Sequence, residues 1–394
     1  MSTARGWQFF MHPGPTNIPE RVRRAMSRPA IDFTGAEFVA IRDRSLERMK
    51  SVLKTKIGFP IVYAASGNGA WDAAIANAFS PGDKVLVPTT GYFADRWATT
   101  AKQYGLEVIT VPIADRRAVD PEAVAKHLAA DAKREIKAVL MVQNETATGM
   151  RHPVAEVRAA IDRIGHPALY MVDTISSLAS YDFRMDEWGV DLVIGGSQKG
   201  LMLPPGMAFT AINPKTWEAA QEARNPRRYW DWRELVENGR QVRFCGTPPI
   251  THFYGLEESL DMIEEEGLEN VWARHDLLAR ATRAGALALG LDLYGDPDER
   301  STVVTALELP ETVDGGKVPG ALRKLGITAN GGQDHLKGKI LRIAHCGYFG
   351  AFDILTSLSG IEMVLAQLGH EVEHGAGVGA AQRVFLESGV PAAA

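Results

Sequence analysis

Leu192-Val193-Ile194-Gly195-Gly196-Ser197-Gln198-Lys199-Gly200 decides the reading of this chain. A short apolar run passes into two glycines and ends near a lysine. The run before it, Ala168-Leu169-Tyr170-Met171-Val172, ends in Asp173. Both runs have strand composition. Together they put an acid at the tip of one strand and a lysine just past the next. Singly, neither residue says much. Most lysines are solvated, and an aspartate after a strand commonly serves as a turn or helix cap. As an ordered pair they suggest a pyridoxal phosphate (PLP) site. Lys199 is expected to hold the cofactor as a Schiff base. Asp173 is expected to pair with the pyridinium nitrogen and keep the ring an electron sink.

Outward from this pair the pattern is α/β. A helix is predicted over 20–56, a strand over 60–65, and an Ala-rich helix opened by Ser66-Gly67-Asn68-Gly69. Strands follow at 84–87, 106–111 and 138–142, with helices up to about 104, over 120–134 and over 153–164. This alternation predicts a mostly parallel sheet covered on both faces, with ligands beyond the carboxyl ends of its strands. Helices at 251–266 and 272–289 put a boundary near 267, and strands at 302–308 and 339–344 begin a smaller α/β unit. The expected division is an arm, 1–19, a large PLP-binding domain, 20–267, a small C-terminal domain, 268–370, and a tail, 371–394. The tail either packs on a neighbour or stays mobile.

Composition limits the function classes. The chain has 394 residues, 45% of them hydrophobic and 23% charged, which is ordinary for a globular protein. A net charge of −5 argues against nucleic acid or an anionic membrane as partner. No apolar run reaches the roughly 20 residues a membrane span needs, and Met1–Gly6 lacks the apolar core of a signal peptide. Only Cys245 and Cys346 are present, so a reducing, cytoplasmic setting is expected. The histidines show no HExxH pattern, and no metal is expected.

Ser66-Gly67-Asn68-Gly69-Ala70 lies between a strand and a helix. Glycines there let the backbone approach an anion, and first-turn N–H groups point at it. The motif is weak alone, because strand-to-helix turns are often glycine-rich for packing reasons. It gains weight by opening the domain that holds Asp173 and Lys199.

Seven motifs in this order resemble the class V aminotransferases of the alanine–glyoxylate and serine–glyoxylate group. They are Pro13-Gly14-Pro15-Thr16-Asn17, the Ser66–Gly69 loop, Asn144-Glu145-Thr146-Ala147-Thr148-Gly149, Val172-Asp173-Thr174-Ile175-Ser176-Ser177, Ser197-Gln198-Lys199-Gly200, Gly246-Thr247-Pro248-Pro249 and Gly338-Lys339-Ile340-Leu341-Arg342-Ile343. The resemblance runs from Pro13 to about Gly360 and implies the PLP-dependent transferase fold of type I, with a mostly parallel seven-stranded sheet. It implies Lys199 as the Schiff-base lysine and Asp173 as the pyridinium partner. Ile175 would pack under the ring and Phe93 would stack on it. Thr146 would sit near the ring's 3-oxygen. Asn68, Gly69, Ala70 and Gln198 would cradle the phosphate, and Thr247 would reach it from the other subunit of a homodimer, or of a tetramer. Arg342 would clamp the substrate α-carboxylate, with Gly14 lining the substrate pocket.

One position departs from the pattern. Relatives often carry a tyrosine three residues before the phosphate threonine, where this chain has Phe244, which cannot donate a hydrogen bond. Arg227-Arg228-Tyr229-Trp230-Asp231-Trp232-Arg233 is unusually aromatic and basic. It reads as pocket entrance, as dimer contact, or as an exposed turn with snorkelling arginines.

The resemblance implies transamination from alanine or serine to a 2-oxo acid, glyoxylate foremost. Alternatives keep the fold and change the substrates: aspartate–glyoxylate, ureidoglycine–glyoxylate or pyridoxamine–pyruvate transamination. An aspartate donor needs a second cation, for which Arg243 and Arg228 are candidates. A pyridoxamine-using enzyme would not need the phosphate loop. A non-enzymatic nucleotide-binding module leaves Lys199 unexplained and lacks a dinucleotide fingerprint.

Overall fold

Seven strands form the central sheet of the computed structural model, which describes residues 6–389. They are β1 (Phe59–Tyr63), β2 (Lys84–Thr89), β3 (Glu107–Pro112), β4 (Ile136–Val142), β5 (Leu169–Asp173), β6 (Leu192–Gly196) and β7 (Ala208–Ile212). The spatial order is β1-β7-β6-β5-β4-β2-β3. Only β7 runs against its neighbours; the other pairs are parallel. Strands β1, β5, β6 and β7 are buried at every position. Helices cover both faces, so these strands read as continuous apolar runs rather than alternating ones. The helix Gly67–Ala78 is Ala-rich for a related reason. It is buried on nearly every side, and small residues let it lie close to the sheet.

The helix expected over 20–56 is two helices, Glu20–Met26 and Ala36–Leu53. Pro29 has no N–H to continue the first, and the Asp32 carboxylate takes the Thr34 N–H at 2.8 Å, closing a local turn instead.

A second sheet holds β8 (Asp292–Leu293), β9 (Val304–Glu308), β10 (Asn330–Gly331) and β11 (Ile340–Ala344), ordered β8-β9-β11-β10 and antiparallel throughout. It has its own core, with Leu278, Leu307, Leu341 and Ile361 among its members. The helices Ile250–Glu266 and Leu268–Ala288 meet at Gly267. Of the tail, the helix Ala376–Glu387 packs on Leu268–Ala288, with Ala381 fully buried in this second core. Residues 1–5 of the expected arm and 390–394 of the expected tail lie outside the described residues.

Residues 9–16 bridge the two cores. Phe9–Phe10 pair in parallel with Ile327–Thr328, and Met11 is buried in the second core. The Met11 carbonyl accepts the Ala344 N–H at 3.2 Å. Five residues on, the Thr16 N–H donates to the Gln198 carbonyl at 3.1 Å, at the edge of the first sheet.

Candidate active site

The carboxyl ends of β1, β2, β4, β5 and β6 open on one edge, which is where a parallel sheet places ligands. Strand β5 ends on Asp173, and β6 runs into Ser197-Gln198-Lys199. Strand β4 leads to Asn144-Glu145-Thr146, β1 to the helix Gly67–Ala78, and β2 to Gly91 and the helix Tyr92–Gln103. A cleft lies over this edge. Its inner lobe, about 200 Å³, is bordered by Asn68, Phe93, Thr146, Asp173, Ile175, Gln198 and Lys199. Its outer lobe, about 380 Å³, adds Tyr92, Arg96 and, from the second sheet, Asn330 and Arg342. Gly14 and Lys199 border both lobes.

Asp173 is buried. Its Oδ2 accepts the Trp71 indole N–H at 2.7 Å, and its Oδ1 the Ile175 N–H at 2.7 Å. Burial pushes its carboxyl up to about 6 despite these donors. A cation laid against it would restore its charge. Lys199 is also buried, and its ammonium donates to the Pro13 carbonyl. Burial lowers its pKa, and Arg342 adds to the effect. Gly14, at φ +135°, lies so near that a Cβ there would stand 2.1 Å from Lys199 Nζ. No larger residue fits without moving the lysine.

Ile175 presses on Gly67, where a Cβ would meet its Cδ1 at 2.4 Å. Phe93 borders the same lobe. In the glycine loop, the N–H groups of Gly69 and Ala70 are engaged by the Ser66 carbonyl at 2.9 and 3.3 Å. Ala70 is fully buried, Gly69 backs onto Trp230, and neither borders the cleft. The N–H groups of Gly67 and Asn68, ahead of the first closed turn, donate to no group among the described residues. Gln198 Oε1 is buried without a partner beside them. Rotating that amide presents its NH₂ instead. These donors fit a phosphate, and the lobe with Asp173 at one end and Lys199 at its side fits the pyridoxal ring.

Arg342, on β11, is buried with no carboxylate within ion-pair distance among the described residues. Its Nε donates to the Gly331 carbonyl at 3.0 Å and its Nη1 to the Thr146 carbonyl at 3.1 Å. Burial brings its guanidinium down to about 10. A buried cation held by neutral carbonyls is an anion site awaiting its partner.

Thr247 is exposed and borders neither lobe of its own chain. Phe244 turns away from the cleft and packs edge-on to Phe253, with ring centroids 5.8 Å apart. The segment 227–233 borders neither lobe of its own chain and is not simply an exposed turn. Arg227 is buried and donates to the Asn77 carbonyl at 3.0 Å, closing the end of the helix Gly67–Ala78. The Trp232 indole donates to the Tyr63 hydroxyl at 2.6 Å. Arg228 and Arg243 pair with Glu234 and Glu237 and do not border the cleft of their own chain.

Four contributors escaped the sequence reading. Trp71 holds Asp173. Glu145, buried and pushed up to about 7, takes the Phe93 and Ala94 N–H groups at 3.0 and 3.3 Å and fixes the helix Tyr92–Gln103 to the site. His12 accepts the Gly14 N–H at 3.1 Å through Nδ1, so its proton sits on Nε2, where the Asn330 amide, 2.7 Å away, accepts it when turned to present its oxygen. Burial, then Lys199 and Arg342, bring it down to about 4. Arg96 is the fourth. Among the described residues, no group of three or more His, Cys, Asp or Glu side chains is arranged to hold a metal, and no helix is long and apolar enough to cross a membrane.

The family model of the aminotransferases of class V matches residues 9–344. The chain is 40% identical over 378 residues to the L-aspartate–glyoxylate aminotransferase of Paracoccus denitrificans, covering 95% of this chain and 96% of that one. It is 39% identical over 390 residues to the serine–glyoxylate aminotransferase of Methylorubrum extorquens, covering 97% of each. A crystal structure of ureidoglycine–glyoxylate aminotransferase from Bacillus subtilis superposes with a TM-score of 0.88 at 30% identity, over 98% of this chain and all of that one.

Proposed function

The chain belongs to the class V aminotransferase family, and within it we propose that it moves the amino group of a small amino acid, alanine or serine, to glyoxylate, giving glycine. One observation carries the reading. A buried guanidinium with no acid of its own, Arg342, opens on the same cavity as a buried lysine, Lys199. Relatives named for glyoxylate support the acceptor.

PLP, the family's cofactor, supplies an electron sink and a carbon that carries the amino group between half-reactions. In this reading Lys199 holds it, Asp173 faces its ring nitrogen, and Ile175 and Phe93 pack its two faces. Thr146 lies by the ring oxygen. Asn68 and Gln198 hold the phosphate, Gly67 joins them, and Gly69 and Ala70 act by shaping the turn. Arg342 fixes the substrate carboxylate by a two-pronged pair and so sets Cα above Lys199. With its pKa lowered by burial, the Lys199 amine can take the Cα proton on Nζ and hand it back on the far side of the amino nitrogen. Gly14 and Pro13 close the pocket over that nitrogen and keep water from it.

The two sheets are read as a large domain, 20–267, and a small one, 268–370. The unit of function is read as a homodimer in which Thr247 completes the partner's phosphate site. Sedimentation of the PLP-saturated enzyme should give a dimer; a fully active monomer would exclude shared sites. A cytoplasmic setting accords with the free thiols Cys245 and Cys346.

A panel of amino donors against glyoxylate, pyruvate and 2-oxoglutarate tests the function. Glyoxylate should be the best acceptor, and failure with every donor would sink the reading. Arg342→Ala should raise KM for donor and acceptor alike, since both present the same carboxylate. Loss of a buried charge-assisted pair costs roughly 2–5 kcal/mol, about 30-fold or more in kcat/KM. Arg342→Lys should rescue only in part, because an ammonium lacks the fork. Kinetics within about twofold of wild type, a change of ~0.4 kcal/mol, would place the clamp elsewhere.

A further inference from the structure

Building on the transaminase reading above and adding a third donor to alanine and serine, we propose that Arg96 binds the distal carboxylate of a four-carbon dicarboxylic amino acid, aspartate. The outer lobe is bordered by three cationic side chains, Lys199, Arg342 and Arg96, and by no carboxylate. Lys199 is taken up by the cofactor and Arg342 by the α-carboxylate. The histidine of the lobe, His12, is neutral. Arg96 is left over. Among the described residues its guanidinium makes no ion pair and no side-chain hydrogen bond. Some exposed arginines find acids, as Arg116 does in Glu308 and Arg117 in Asp296. Others, such as Arg151 and Arg323, find none among the described residues, and what sets Arg96 apart is its place on the lobe. Asp95, adjacent in sequence, does not pair with it.

Arg96 is also positioned. It lies four residues after Tyr92 on one helix face, and its guanidinium sits 5.8 Å from the Tyr92 ring centroid, both at the lobe's rim. The helix that carries it is pinned through the Phe93 and Ala94 N–H groups to Glu145. The next residue, Thr146, takes Arg342 Nη1 on its carbonyl. One dipeptide, Glu145-Thr146, thus anchors the supports of both guanidinium groups. A substrate with an acid at each end meets both. Alanine and serine meet only Arg342 and leave Arg96 to water, so the difference is one of specificity.

The exchange balances. Aspartate and glyoxylate become oxaloacetate and glycine. The amino group and Cα hydrogen of one are exchanged for the oxo oxygen of the other, and no outside oxidant is needed.

The test uses PLP-loaded wild type, Arg96→Gln and Arg96→Lys. The kcat/KM for aspartate and for serine is measured at saturating glyoxylate, and succinate binding is measured by calorimetry without turnover. In Arg96→Gln the aspartate-to-serine ratio should fall at least 20-fold, mostly through KM, and the succinate Kd should rise at least tenfold. Arg96→Lys should lie between. A ratio and a Kd both within threefold of wild type would overturn the assignment. If wild type transfers nothing to glyoxylate from any donor, the functional reading fails instead, and the succinate Kd still decides Arg96.

Discussion

Lys199→Ala will lose steady transamination by about 10⁴-fold or more, because one nitrogen serves as both covalent anchor and proton carrier. No other lysine borders either lobe of the cleft, so no neighbour can substitute. The visible absorbance band of protein-bound PLP should vanish with the activity. Borohydride reduction of the wild-type holoenzyme, followed by peptide mapping, should put the label on Lys199, and a label elsewhere refutes the assignment. Loss of fold is a separate matter. The variant removes a buried cation, which relieves desolvation, and deprives the Pro13 carbonyl of its donor. An unpaired carbonyl costs on the order of 1–3 kcal/mol. An unchanged far-UV circular dichroism spectrum with a modest shift in Tm separates lost chemistry from lost structure.

Asp173→Asn will keep PLP and lose turnover by about 10²–10³-fold, the scale of removing one preorganised electrostatic partner. The amide has the carboxylate's shape, so packing survives. One of its two atoms can still accept from Trp71 or Ile175, but it brings no negative charge to a ring nitrogen. Cofactor retention is expected because Lys199, Gln198 and the glycine loop hold the rest. Two measurements are needed together: PLP content after dialysis, and single-turnover rates with alanine or serine. Wild-type rates with full occupancy would show that Asp173 is not the ring partner.

What could be read from the sequence was mostly local. The tips of β5 and β6 were legible because apolar runs buried on both faces end abruptly at an acid and at a glycine–lysine motif. The break at 27–35 was not, because apolar positions continue on either side of it and outweighed the local signals of Pro29 and the Asp32 turn. Trp71 is core on an Ala-rich helix; its indole N–H matters only once β5 lies across the helix, which the local sequence does not signal. The turn at 66–70 was found, but which N–H groups stay free depends on where the first helical turn closes, and the Ser66 carbonyl closes it on Gly69 and Ala70. Arg96 had a faint local signal in its spacing from Tyr92. Its importance rests on the absence of acids around the outer lobe, which a one-dimensional pattern does not carry. The packing of the helix Ala376–Glu387 was invisible for the same reason, since its partner surface begins about a hundred residues earlier.

The bridge made by residues 9–16 also sets an order of events at the ribosome. Domains generally fold as they emerge, earlier ones first. The first sheet can close once β7 is out, near residue 212. Residues 9–11 have no place until Gly326, Thr328 and Ala344 are available to pair with them. Until then Gly14 is held over Lys199 from one side only, by the Thr16 N–H on the Gln198 carbonyl. The stretch made before any strand of the first sheet is therefore among the last to be seated. A nascent chain halted between residues 212 and 326 would carry a finished sheet and an open lysine, and its cofactor pocket would close only when the last strand of the second sheet arrives.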